Sequence, residues 1–336
     1  MKAIGYHQAL PIDNSAALQD LELPAPVPGA RDLLVRIKAV SVNPVDTKVR
    51  ANTAPAPGQS KVLGWDAVGT VDAVGSAVTL FQPGDRVYYA GSITRAGANS
   101  ELHLVDERIV AKAPTSLTDA QAAALPLTTI TAYELLFDRL KVPNGGGLGQ
   151  TLLVIGGAGG VGSILIQLAR QLTQLRVIAT ASRPETRQWC LDLGAHAVID
   201  HSKPLAAELK AGDFGQVDWV ASLTQTPQHY GQIIEALKPQ GALAVIDDMA
   251  GLDLMQLKGK SLALHWEMMF TRAMFETPDM AEQGKLLAEV AALVDAGRIR
   301  TTVNANFGTI NAANLRRAHG LIESGTAQGK VVLEGF

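Results

Sequence analysis

Apolar and polar positions change their period along this chain. At 152–155 four apolar residues in succession, Leu152, Leu153, Val154 and Ile155, make a run without alternation. That is the pattern of a parallel strand covered on both faces. Gly157, Gly159 and Gly162 follow on G-x-G-x-x-G, and Ile164, Leu165 and Leu168 then mark the apolar face of a helix. Further strand candidates lie at 176–181, 197–200, 218–222, 242–246 and 262–266, with helical stretches between them. This alternation predicts an α/β fold built on a doubly wound parallel sheet of six strands.

Upstream the period is two. Leu33, Val35, Ile37 and Ala39 alternate with Arg36 and Lys38, as in a half-buried strand, and Pro44 ends it. The segment GWDAVGTVDAVG at 64–75 also favours strand, with Gly69 and Gly75 at bulge or close-approach positions, and Pro83-Gly84-Asp85 is a turn before another strand at 86–89. An irregular β-barrel is predicted for this first part. Thr118 with Gln121 three residues on is a capping box for a helix that runs to Phe137 with an interruption at Pro126. Leu286, Leu287, Val290, Leu293 and Val294 share one face of a later helix that stops at Gly297. A strand near 301–307, a helix at 312–324 and a strand at 330–333 are expected to follow.

A chain of 336 residues is long for a single core, so two domains are expected. The net charge of −3 and the lack of any basic run longer than Arg316-Arg317 argue against a nucleic-acid partner. The uncharged stretch 142–169 is long enough to span a bilayer, but glycines crowd its middle and would break a helix there, so no membrane partner is expected. MKAIGYHQALPID lacks the apolar region of a signal peptide, and Cys190 is the lone cysteine. Both features point to the reducing cytoplasm, and a single cysteine leaves neither an intrachain disulfide nor a cysteine-built metal site.

The glycine motif has a mechanical reading. Its first glycine permits a tight turn, its second lets backbone approach a pyrophosphate, and its third lets helix and strand pack closely. Gly157, Gly159, Gly160, Val161 and Gly162 are therefore candidate dinucleotide ligands at a helix N-terminus. An NAD site places a carboxylate at the end of the second strand, yet none occurs between Gly162 and Glu185. Ser182, Arg183 and Arg187 stand there instead, which suits the 2′-phosphate of NADP(H). His201, just past the third strand, is a candidate neighbour of the adenine, and Leu223 and Ile246 sit at strand C-terminal ends, where such sheets bind ligands.

Several segments together carry a resemblance to a family. VNPVD at 42–46, GWDAVGTVDAVG at 64–75, PGDRV at 83–87, LPLTTITAY at 125–133, GGAGGVG at 156–162 and GKVVLEGF at 329–336 resemble the medium-chain dehydrogenase/reductase superfamily over the whole chain. The resemblance implies a GroES-like catalytic domain at 1–123 and 270–336 and an inserted Rossmann domain at 124–269, with the active site in the cleft between them. It also implies a homodimer paired along the last Rossmann strand. By the same match Asn43 reaches the nicotinamide ribose or the substrate carbonyl, Thr131 approaches the nicotinamide, and Lys330 faces the cofactor cleft. Similar sequences carry the name zinc-type alcohol dehydrogenase-like protein.

The zinc chemistry of that name is not carried by these residues. Where the zinc enzymes have Cys, His, Glu and a second Cys, this chain has Asn43, Trp65, Asp66 and Leu127, and residues 88–103 contain no cysteine for a structural zinc lobe. No bound metal is expected. An alkoxide deprived of such a metal loses up to ~9 pK units of stabilisation, roughly 12 kcal/mol. The chain is thus nearer the quinone oxidoreductase branch, whose Asn-x-x-Asp it shares, though Lys48 stands where that branch often has a tyrosine. Asn43, Asp66 and Tyr89 are the candidate catalytic residues, with Asp66, Tyr89 or water as proton donor. The expected activity is NADPH-dependent reduction of a quinone or α,β-unsaturated carbonyl. Alcohol or aldehyde oxidation and non-catalytic nucleotide binding are the alternatives.

Overall fold

The computed structural model describes residues 1–336, which fall into two compact units. One comprises Met1–Ile130 and Phe270–Phe336, the other Thr131–Met269.

The first unit is organised around the long strand Asp32–Val42. It pairs antiparallel with Ala67–Val74, with Leu102–Asp106 and with the last strand, Lys330–Glu334. The seven-stranded sheet runs Val303–Asn306, Lys330–Glu334, Asp32–Val42, Ala67–Val74, Arg86–Tyr89, Ala111–Lys112, with Leu102–Asp106 off this path. Register sets the site: Val42 faces Val331 and Val40 faces Ala67, so the residues just beyond these pairs, Asn43, Lys330 and Asp66, lie at one end of three adjacent strands. Gly69 and Gly75 are close-approach positions. A Cβ on Gly69 would lie 2.3 Å from the Arg36 carbonyl oxygen, and one on Gly75 1.9 Å from that of Gly29.

After Asn43 the chain turns into the helix Pro44–Asn52, which the hydrophobic pattern did not predict. Its sequence PVDTKVRAN has no apolar stripe; the proline at the first helical position and Asp46 in the first turn start it. The capping box is present, with Thr118 and Gln121 bonded reciprocally at 3.2 and 3.0 Å. The helical region breaks between Asp119–Ala123 and Pro126–Tyr133 and then widens into a π-helical turn, Glu134–Arg139.

The second unit holds a six-stranded, wholly parallel sheet in the order Ala197–Ile199, Arg176–Thr180, Thr151–Ile155, Val217–Ser222, Leu237–Val245, Ala263–Trp266. This is the 3-2-1-4-5-6 order of a dinucleotide-binding sheet. Thr151–Ile155 is buried along its whole length, and Leu153, Ile178, Val220 and Leu243 form the core with Ile233 and Leu257. The uncharged stretch 142–169 becomes loop, strand and the start of the helix Gly160–Leu172, and no helix is long and apolar enough to cross a membrane.

Candidate active site

In the first unit one carboxylate collects donors from four segments. Asp66 Oδ2 accepts hydrogen bonds from Ser41 Oγ at 2.8 Å, Asn43 Nδ2 at 2.7 Å and Lys330 Nζ at 2.9 Å. Its Oδ1 accepts from the Leu127 N–H at 2.8 Å. Leu127 lies in the first turn of Pro126–Tyr133, where backbone N–H groups have no partner within the helix, so the carboxylate serves that end as well. Ser41, Asn43, Asp66 and Lys330 are all buried, and Lys330 with Asp66 forms an interior ion pair. Lys330 Nζ also donates to Asn43 Oδ1 at 2.5 Å and to the Val42 carbonyl at 3.2 Å.

A second buried carboxyl supports the first. Asp46 accepts from the Asn43 N–H at 2.8 Å and from the Gly64 N–H at 3.0 Å, which ties the turn at 43 to the loop that presents Asp66. Burial pushes Asp46 up to about 7, and the charge of Asp66 adds to the rise, while the two backbone donors and Lys330 oppose it. Lys330 therefore bonds Asp66 directly and acts on Asp46 only through space.

Tyr89 lies opposite Ala67 in the sheet, next to the cluster in register, but its hydroxyl is bound elsewhere. It is 3.0 Å from His103 Nδ1, while His103 Nε2 is 2.9 Å from the Ala96 carbonyl. A carbonyl only accepts, so Nε2 carries the ring proton. Burial lowers His103 to about 4 and keeps the ring neutral, so Tyr89 donates to a bare Nδ1. The same burial pushes the Tyr89 phenol up. Trp65 donates from Nε1 to the Ser92 carbonyl at 3.2 Å and packs edge-on against Phe270, 6.0 Å between ring centres.

In the second unit the glycine turn has the expected sequence with one change of roles. The positive φ, +83°, falls on Gly156, one residue before the motif. Gly157 instead permits contact: a Cβ there would lie 2.7 Å from the Ala179 Cβ and 3.1 Å from Cys190 Sγ. Gly162 does bring helix and strand together, since its Cβ would lie 2.3 Å from the Gly156 carbonyl oxygen. Gly159 caps the helix Gly160–Leu172 without a side-chain bond, and a Cβ there would make only ordinary contact, 3.5 Å from the Gly156 oxygen. Gly159, Gly160 and Val161 are half-exposed at that helix start. A dinucleotide pyrophosphate fits this backbone.

Beyond the second strand Ser182 and Arg183 are exposed, with Arg183 paired to Glu185 across 3.2 Å in solvent. Arg187 is placed otherwise: it donates to the carbonyls of Ala181 at 3.3 Å and Val198 at 2.8 Å, linking the second and third strands. Ser182 and Arg183, with no carboxylate between Gly162 and Glu185, are the residues that follow the second strand. His201 is half-exposed and edge-on to His229, 6.2 Å between ring centres. Leu223 and Ile246 are half-buried at their strand ends, and Thr131 is buried in Pro126–Tyr133.

Of the sequence candidates, the fold brings Asn43, Asp66 and Lys330 into direct contact. Ser41, His103 and the Leu127 backbone were missing from the sequence reading, as was a separate role for Asp46. Only Asp46 had a local signal, its capping distance of three from Asn43. Zinc does not fit the positions that resemble a zinc site. An amide, an indole, a carboxylate and an isobutyl group stand at 43, 65, 66 and 127, and Asp66 Oδ2 already carries three donors, one of them a cation. No group of three or more His, Cys, Asp or Glu side chains occurs anywhere in the structure that could hold a metal.

The family models that match describe an alcohol dehydrogenase GroES-like domain at residues 29–115 and a zinc-binding dehydrogenase at residues 193–333. A zinc-type alcohol dehydrogenase-like protein of Staphylococcus aureus is 40% identical, over 99% of each chain. A Rhizobium etli protein named for the zinc-dependent alcohol dehydrogenases is 58% identical, with a TM-score of 0.97 over 100% of this chain and 98% of that one. The Escherichia coli quinone oxidoreductase, solved with NADPH, is 26% identical, with a TM-score of 0.84 over 99% and 100%. The chain belongs to the medium-chain dehydrogenase/reductase superfamily, as a GroES-like domain joined to a Rossmann sheet. It is an oxidoreductase of that family, with both quinone oxidoreductases and alcohol dehydrogenases among its neighbours, and a nicotinamide cofactor goes with it.

Proposed function

We propose that this oxidoreductase uses NADPH to reduce a quinone, or the β-carbon of an α,β-unsaturated carbonyl, without zinc. One observation carries the reading: the positions that resemble a zinc site hold a buried network of amide, carboxylate and ammonium, with no set of metal donors. Asn43 is the donor in this network. One N–H of its amide goes to Asp66, and we assign the other to an oxygen on which negative charge develops. The ammonium on Asn43 Oδ1 polarises the amide and strengthens that donor. Hydrogen bonds of this strength suit the delocalised oxyanion of a hydroquinone or enol. An isolated alkoxide needs the far larger stabilisation of a metal ion.

When bound, the reduced nicotinamide supplies the hydride. The backbone N–H groups of Gly160, Val161 and Gly162, which open the helix, would hold its pyrophosphate, with Gly157 and Gly159 shaping the turn that lets it approach; Thr131 would border the nicotinamide, and His201, Leu223 and Ile246 the adenosine and ribose groups. Ser182 and Arg183 take the 2′-phosphate, with Arg187 bracing the strand ends beneath them. Asp66 accepts at both oxygens and has no proton to give, and Tyr89 commits its own to His103. We assign the final protonation to water, with Asp66 as the residue that positions Asn43. Alcohol oxidation is the second reading, favoured by the names of the similar Staphylococcus and Rhizobium proteins.

The substrate reading is tested by a panel. With NADPH, quinones and enones should turn over much faster than simple primary alcohols do with NADP at neutral pH. Asn43→Ala should lower kcat more than it weakens NADPH, because its donor acts on the transition state. Faster oxidation of the alcohols would select the second reading.

The cofactor reading is tested at Arg183. Arg183→Ala should weaken NADPH by about 1.5–3 kcal/mol and leave NADH nearly unchanged. Equal losses would make Arg183 a folding residue, and an unchanged NADPH affinity would remove it from the cofactor site.

We also propose a homodimer paired along Ala263–Trp266. This strand ends the sheet with one edge unpaired and carries Trp266, 53% exposed. Light scattering at micromolar concentration should return twice the chain mass; a monomer would contradict the pairing.

A further inference from the structure

Lys330 is 2% exposed, and an ammonium that deep has to be coordinated. It has three N–H donors and three oxygens on it: Asp66 Oδ2 at 2.9 Å, Asn43 Oδ1 at 2.5 Å and the Val42 carbonyl at 3.2 Å. Two of these acceptors belong to positions 43 and 66, where the resembled zinc enzymes carry ligands. A third such position, Leu127, donates its N–H to the same carboxylate. Three of the four positions thus serve the ammonium, directly or through Asp66.

We propose that Lys330 is the resident cation of this active site: an ammonium in an oxygen cage that stands in for a metal ion, bars a divalent cation, and orients Asn43. The barrier is electrostatic, since a second cation would share Asp66 with the ammonium in a dry interior, where like charges repel strongly. The orienting effect follows from the donor pattern. Turning the Asn43 amide over would set its NH₂ against the ammonium and its oxygen against the carboxylate, so one orientation alone is compatible with both neighbours. The same amide is then ready for a substrate oxygen, and this part of the inference rests on the reductase reading. The metal barrier does not.

Cobalt(II) titration without nucleotide or substrate tests the barrier. Two full-length chains would both carry Asn43→Cys, Trp65→His and Leu127→Cys, and one would add Lys330→Met. Visible absorption should show cobalt bound at least ~100-fold more tightly by the chain lacking Lys330, because the competing charge is gone. Equal affinities would overturn the proposal. Should Lys330→Met unfold the chain by stranding Asp66, the double change Lys330→Met with Asp66→Asn removes both buried charges together. In the three-ligand background it should still bind cobalt at least ~10-fold more tightly than the chain that keeps the ion pair, and no gain would again overturn the proposal. Neither comparison depends on the substrate, so failure of the reductase reading and failure of the resident cation give different results.

Discussion

The buried carboxylate of Asp66 is the constraint on which the first unit's site depends. It holds Ser41 from the central strand, Asn43 from the turn after it, Leu127 from the start of a helix and Lys330 from the last strand. Removing one member of such a buried ion pair typically costs about 3–5 kcal/mol, because the other charge is left without a partner. The strand register brings these groups to one place, and their mutual satisfaction holds them there. Asp46 does the same for the backbone, tying Asn43 to Gly64.

That arrangement decides what chemistry the site supports. Proteins named for zinc-type alcohol dehydrogenases match this chain at high coverage, and in this chain positions 43, 66 and 127 are spent on an internal network. Fold similarity fixes where a reaction would occur, while the donors present decide which reaction is within reach. An amide backed by an ammonium is a good partner for a delocalised oxyanion and a weak substitute for a Lewis acid worth roughly 12 kcal/mol.

Much of the fold was legible because burial writes itself into sequence. Six apolar runs separated by helices marked the six strands, and each lies within two residues of its expected start except the fifth, whose N-terminal residues Leu237–Gly241 carry Lys, Pro and Gln. The glycine motif marked the phosphate turn but not which glycine takes positive φ, because φ depends on the path of the neighbouring strands. That role falls to Gly156, and Gly157 serves packing against Ala179. The helix Pro44–Asn52 was hidden because it buries no apolar stripe. Arg183 and Arg187 looked equivalent, and the fold separates them: one is exposed beyond its strand, the other bonded to the carbonyls of Ala181 and Val198. The contact between Lys330 and Asp66 spans 264 residues, and no local pattern encodes it.

Metal analysis of the purified, untreated protein tests most directly the central claim that a polar network replaces a metal site here. Well under one zinc per chain is expected, with NADPH-dependent reduction unaffected by a strong chelator. One tightly held zinc per chain, with activity lost on its removal, would contradict the account.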